Sequence, residues 1–140
     1  MEGITLTLKG REIPLIYTVL EMKRIQEEIA PLGDFIYKVY GRNKDDEEDT
    51  SLFGCPEQLD AIAKLVCILG NAGLEEAGEN PDLTEKKVLR AIKPNEISAT
   101  VNACMKAINE GNHSEIPAKK PEGPIDATLE EMDKKKERDG

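Results

Sequence analysis

Between Ile4 and Glu28 the hydrophobic period changes from two residues to about 3.6. Ile4, Leu6 and Leu8 alternate with Thr5 and Thr7. Ile13 and Leu15 alternate with Glu12, Pro14 and Ile16, and Lys9-Gly10-Arg11 lies between the two runs. This spacing predicts a β-hairpin. Two registers are open. With Gly10-Arg11 as the loop, Pro14 opposes Thr7 at a hydrogen-bonded pair and a ladder donor is missing. With Lys9-Gly10 as the loop, Pro14 opposes Thr5 where no donor is needed, although Lys suits a positive φ poorly. Either register puts Ile4, Leu6, Leu8, Ile13 and Leu15 on one face. A lone two-stranded hairpin is marginal in water, so that face must lie on helices or pair with another chain.

Helical spacing dominates the rest. Thr18 is an N-cap candidate for a first helix carrying Met22, Ile25 and Ile29, with Pro31 and Gly33 ending it. A short second helix is expected over 34–40, bearing Phe35, Ile36, Val39 and Tyr40. Pro56 at N1 and Glu57 in the first turn open a third helix. Its stripe of Leu59, Ile62, Ala63, Val66, Leu69 and Gly70 marks it as the central buried helix, ending at Gly73. Thr84 caps a short helix with Val88, Leu89 and Ile92. Pro94 interrupts, and Asn95 caps a last helix with Ile97, Val101, Cys104, Met105 and Ile108, ending at Gly111. The expected fold is mainly α with a short N-terminal β-hairpin (α+β). It is a small bundle of four to five helices over residues 1–111, followed by a disordered polar tail over 112–140, where prolines and charges replace the stripes.

Charge restricts the partners. The net charge is -9. Residues 1–44 hold seven Lys/Arg against six Asp/Glu, 45–111 hold six against fourteen, and 112–140 hold six against eight. An acidic middle repels a phosphate backbone, so nucleic acid is not an expected partner. Lys134-Lys135-Lys136 is flanked by Glu130, Glu131, Asp133, Glu137 and Asp139 and forms no net basic patch. The longest apolar run, around 65–70, is too short to cross a bilayer, and the N-terminus enters strand-like alternation rather than a signal peptide. No membrane partner is expected.

Catalytic patterns are scarce. Cys55, Cys67 and Cys104 are odd in number and far apart, so they form no disulfide framework or metal knuckle. Cys67 and Cys104 fall on apolar faces, as small core hydrophobes do, and a reducing cytoplasm fits them. His113 is the single histidine, and nothing in its segment orients it toward a thiol or a hydroxyl. "NKDDEEDTSLFG" spaces its carboxylates as calcium loops do. It has Glu48 where the sharp turn needs Gly, and Gly54 where a bidentate Glu belongs. "GNAGLEEAG" follows a helix and lacks Gly-Lys-Ser/Thr, so it reads as a helix terminus rather than a phosphate loop. Glu27-Glu28 and Glu75-Glu76 are helix neighbours pointing about 100° apart and do not converge. No enzymatic activity, cofactor or metal is expected. Amphipathic helices, a hairpin and no catalyst suit the binding of another protein, through a groove for a partner helix or a hairpin edge.

The order of elements resembles the tail assembly chaperones of long-tailed, siphovirus-type phages and prophages. "ITLTLKGREIPLIYTVLEMKRIQEE" is similar to their opening, with Gly10, Ile13, Pro14, Leu15 and Tyr17 at the matching positions. "LDAIAKLVCILGNAGL" resembles their central helix, and "LTEKKVLRAIKPNEISATVNACMKAINEG" their closing helix pair. The resemblance spans about residues 1–111; the acidic run at 45–49 departs from it. It implies a non-enzymatic protein of the bacterial host cytoplasm that coats and solubilises the tape-measure protein, helps recruit tail-tube subunits, and can self-associate. It also implies a longer form made by ribosomal frameshifting, for which the Lys134–Lys136 codons are a candidate slippery site. Within this reading Tyr17, Met22 and Ile25 are the candidate partner-binding residues, and they suit the core equally. The alternative is a small helical adaptor or virion component unrelated to tail assembly.

Overall fold

A computed structural model describes residues 3–112. The chain forms an antiparallel hairpin, β1 (Ile4–Leu8) and β2 (Arg11–Leu15). Five helices follow: α1 (Val19–Glu28), α2 (Leu32–Tyr40), α3 (Pro56–Glu76), α4 (Glu85–Ala91) and α5 (Ile97–Asn112), with a 3₁₀ turn at Pro94–Glu96 before α5. The protein is mainly α with an N-terminal hairpin. The expected disordered tail over 112–140 falls, from His113 onward, outside the described residues.

The hairpin takes the Lys9-Gly10 register: Thr5 pairs with Pro14 and Leu8 with Arg11. Lys9 and Gly10 both have positive φ, 51° and 79°, as a type I′ turn requires. Lys9 tolerates the left-handed conformation because the alternative would set Pro14 at a position that needs an N–H. Leu6, Leu8, Ile13 and Leu15 are buried on the predicted face.

β2 lies on α3, the central helix, and the Ile16 N–H donates to the Leu69 carbonyl at 3.1 Å. Backbone comes this close because α3 presents Gly70 and Gly73 there. A Cβ on Gly73 would collide with the Pro14 carbonyl, and one on Gly70 would stand 3.0 Å from Ile13 Cγ2 and 2.6 Å from Leu83 Cδ1. The expectation that Gly73 ends α3 is therefore corrected: α3 continues to Glu76, and Gly73 is a packing residue. Termination comes at Gly78 (φ 77°). There the Glu79 N–H reaches the Leu74 carbonyl and the Gly78 N–H that of Glu75, a Schellman end. The "GNAGLEEAG" segment is thus helix interior up to Glu76.

Three further boundaries differ. Gly33 lies inside α2, which starts at Leu32 rather than at 34, so only the Pro31 region separates α1 from α2. Asn95 does not cap α5. The Lys93 N–H donates to the Glu96 side chain, and the 3₁₀ turn opened by Pro94 runs straight into the helix. Gly111 lies within α5, where a Cβ would strike the Tyr17 carbonyl; its smallness serves that approach.

Caps read from the sequence are present at Thr18 and Thr84. Glu21, buried, accepts from the Thr18 N–H at 2.8 Å and from its hydroxyl. Thr84 Oγ1 accepts from the Lys87 N–H at 3.2 Å. One apolar cluster runs from the hairpin through α3 to Ile108. The loop over 42–55 is braced by its own carboxylates and amide: Asn43, Asp46 and Asp49 side chains accept from the N–H groups of Asp45, Glu48 and Ser51.

Candidate functional site

Two anchors hold α4 and the segment before it against α3. The Asn71 side chain donates to the Leu83 carbonyl at 3.1 Å and accepts from its N–H at 2.9 Å. Val88 is fully buried. Adjacent helical residues point about 100° apart, so a helix seated through Val88 cannot also bury Leu89. Leu89 stays 39% exposed and overlooks a cleft of about 600 Å³. Pro56, Leu59 and Ile62 of α3 form its floor, with Ile92, Pro94 and Ile97 beyond. Asp60 is the one charged side chain lining it. A second hollow of similar size, under Tyr40 and Phe53, is edged by Arg42, Glu47 and Glu48 and is the more polar of the two.

Further apolar surface lies elsewhere. Val19 and Leu20, in the first turn of α1, are 75% and 55% exposed, and Phe53 is 49% exposed. Tyr17 and Ile25, two of the three residues singled out from the sequence, are buried, and Met22 is half-buried against the same core. α1 therefore exposes its first turn and buries its Ile25 stripe. The signal for the cleft was present in the sequence as the apolar pair Val88-Leu89. Which of the two faces outward is decided by α3, far away in the chain.

The described residues offer little chemistry. The Cys67 thiol is pushed up to about 11, chiefly by burial, and burial pushes the Cys104 thiol up to about 12. Both are protonated and poorly nucleophilic near neutral pH. His113 lies outside the described residues. Among those described, no three His, Cys, Asp or Glu side chains gather as a metal site, and no helix is long and apolar enough to cross a membrane. Asp49, exposed, is held below the usual carboxylate range by hydrogen bonds from Ser51 and then Asn43. Its oxygens serve the loop's own backbone.

No family model, curated protein or solved structure matches the chain.

Proposed function

We propose that the protein is a non-enzymatic tail assembly chaperone that covers an apolar stripe of a tape-measure helix in the host cytoplasm and helps recruit tail-tube subunits. The observation that carries the reading is the apolar cleft between α3 and α4, with Leu89 open at its rim. Such a groove accepts an amphipathic helix through residues at i, i+3, i+4 and i+7. A long client with that stripe aggregates when the stripe is bare, and a small binder removes the hazard without catalysis. The element order that resembles such chaperones supports the same assignment. The acidic middle of the chain disfavours contacts with other acidic surfaces and suits basic stretches on a client.

Co-expression with a phage tape-measure protein tests the proposal. The client is expected in the soluble fraction and in a complex. Leu89→Asp, at a half-open site that the core does not need, is expected to return it to the pellet. A client that stays insoluble beside the folded protein refutes the reading, as does a complex indifferent to Leu89→Asp together with Ile92→Asp.

A further inference from the structure

α4 is fastened to the protein at few points. Among the described elements it packs substantially on α3 alone. Of its seven residues only Val88 is buried, and a helix of about two turns does not hold its own shape in water. The approach to α4 is pinned twice. Asn71 holds both backbone groups of Leu83, and the Leu83 side chain lies over Gly70, where a Cβ would stand 2.6 Å from Leu83 Cδ1. Asp82 adds ion pairs to Arg11 at 3.1 Å and Lys87 at 3.9 Å, but exposed pairs of this kind contribute little. At the other end Pro94 opens the 3₁₀ turn into α5. Among the described residues, no hydrogen bond ties 85–96 to α3.

α3 is held quite differently. Ile62, Leu65, Val66 and Leu69 are all buried along it, and β2, α1, α2, α4 and α5 all rest on it. Local opening within a native protein ranges from nearly free to as costly as global unfolding. A segment kept down by one buried side chain and one amide clasp belongs at the low end of that range, and α3 belongs at the high end.

We propose that the segment from Leu83 to Lys93 is a strap that lifts from α3 as a unit, with the rest of the fold intact, and that its lifting governs entry to the cleft. This rests on the reading of the cleft as a docking site. With the strap down, the apolar floor is Pro56, Leu59 and Ile62. With it lifted, the seat of Val88 on α3 is added, and a client stripe longer than the closed cleft can enter by taking that seat. Strap and client therefore compete for the same apolar surface of α3. Closure of the strap hides that surface when no client is present.

Hydrogen exchange of the full chain, followed by NMR in increasing urea below the unfolding transition, tests this. The reporters are Leu83, Val88 and Ile92, whose N–H groups bond to Asn71, Thr84 and Val88. They are expected to exchange at least about 100-fold faster than Val66 and Leu69 of α3, at rates that urea scarcely changes. Val39 is as fully buried as Val88 but lies in α2, which has no substantial contact with α4. Val39→Ala should speed the α3 amides about thirtyfold and leave the reporters alone, whereas Val88→Ala should speed the reporters about thirtyfold. Reporters that follow the α3 amides in urea and in Val39→Ala overturn the proposal, because α4 then opens only with the whole protein. Reporters indifferent to Val88→Ala also overturn it, because they then exchange by fraying while Val88 stays seated. No client takes part in these measurements, so a strap that never lifts is distinguished from a cleft that never binds.

Discussion

Replacing Gly73 by Ala is a sharp test of how the hairpin is held. In an exposed helix interior, Gly→Ala stabilises by about 1 kcal/mol. At Gly73 the new methyl group would overlap the Pro14 carbonyl and lie 3.0 Å from Pro14 Cβ. Neither group can swing aside, because both belong to the strand itself. β2 must lift until ordinary contact of about 3.5–4.0 Å is restored. That overpacking costs about 1–3 kcal/mol. Stretching the Ile16 N–H bond to the Leu69 carbonyl adds about 1 kcal/mol, which roughly offsets the gain in helix propensity. The net expectation is a loss of about 1–3 kcal/mol, read as a lower urea midpoint at unchanged slope by far-UV circular dichroism. Gly33→Ala is the control. It is exposed in the first turn of α2, with nothing within 4 Å of the added Cβ, and should gain about 0.5–1 kcal/mol. A Gly73→Ala protein as stable as the parent would refute the close-approach argument.

Val88→Ala should cost about 2 kcal/mol in the same assay, because two buried methyl groups go, whereas Leu89→Ala should cost well under half of that. Glu21→Ala removes the one oxygen that accepts both Thr18 hydrogen bonds at the α1 cap and should cost about 1 kcal/mol. The buried thiols predict an alkaline loss of stability. Their folded values, about 11 for Cys67 and about 12 for Cys104, lie above the ordinary 9.0. The native state therefore keeps its protons longer than the unfolded chain. Stability is full below pH 9 and falls as pH rises from there toward 11 and 12. For each thiol the slope is about 1.4 kcal/mol per pH unit at most. Urea melts of Cys104→Ala against the parent should show a shallower decline across that window. An identical decline removes Cys104 as a contributor.

Much of the fold was legible because local chemistry decides it. The hairpin register follows from one residue, Pro14, whose missing N–H is harmless opposite Thr5. The caps at Thr18 and Thr84 need only their own first turns. What escaped depends on partners distant in the chain. Gly73 and Gly111 look like helix stops, yet each is small because another segment's carbonyl passes over it, Pro14 in one case and Tyr17 in the other. Gly33 sits in a helix whose start is set by Pro31. Tyr17, Met22 and Ile25 were read as both surface and core candidates, since an amphipathic stripe looks the same whichever body covers it. The cleft escaped for a similar reason: Leu59, Leu89 and Ile92 meet only where α4 is pinned by Asn71.

The seam between Gly111 and the Tyr17 carbonyl joins a segment near the start of the described residues to one near their end, and α5 also rests on β1. During synthesis β2 can settle on α3 once that helix is made, but the contacts of β1 and Tyr17 with α5 must wait for the last helix. Such distant closure slows folding and prolongs the interval in which strands can pair wrongly. Newly made copies on one message therefore have an opportunity to exchange their final helices before each closes on its own.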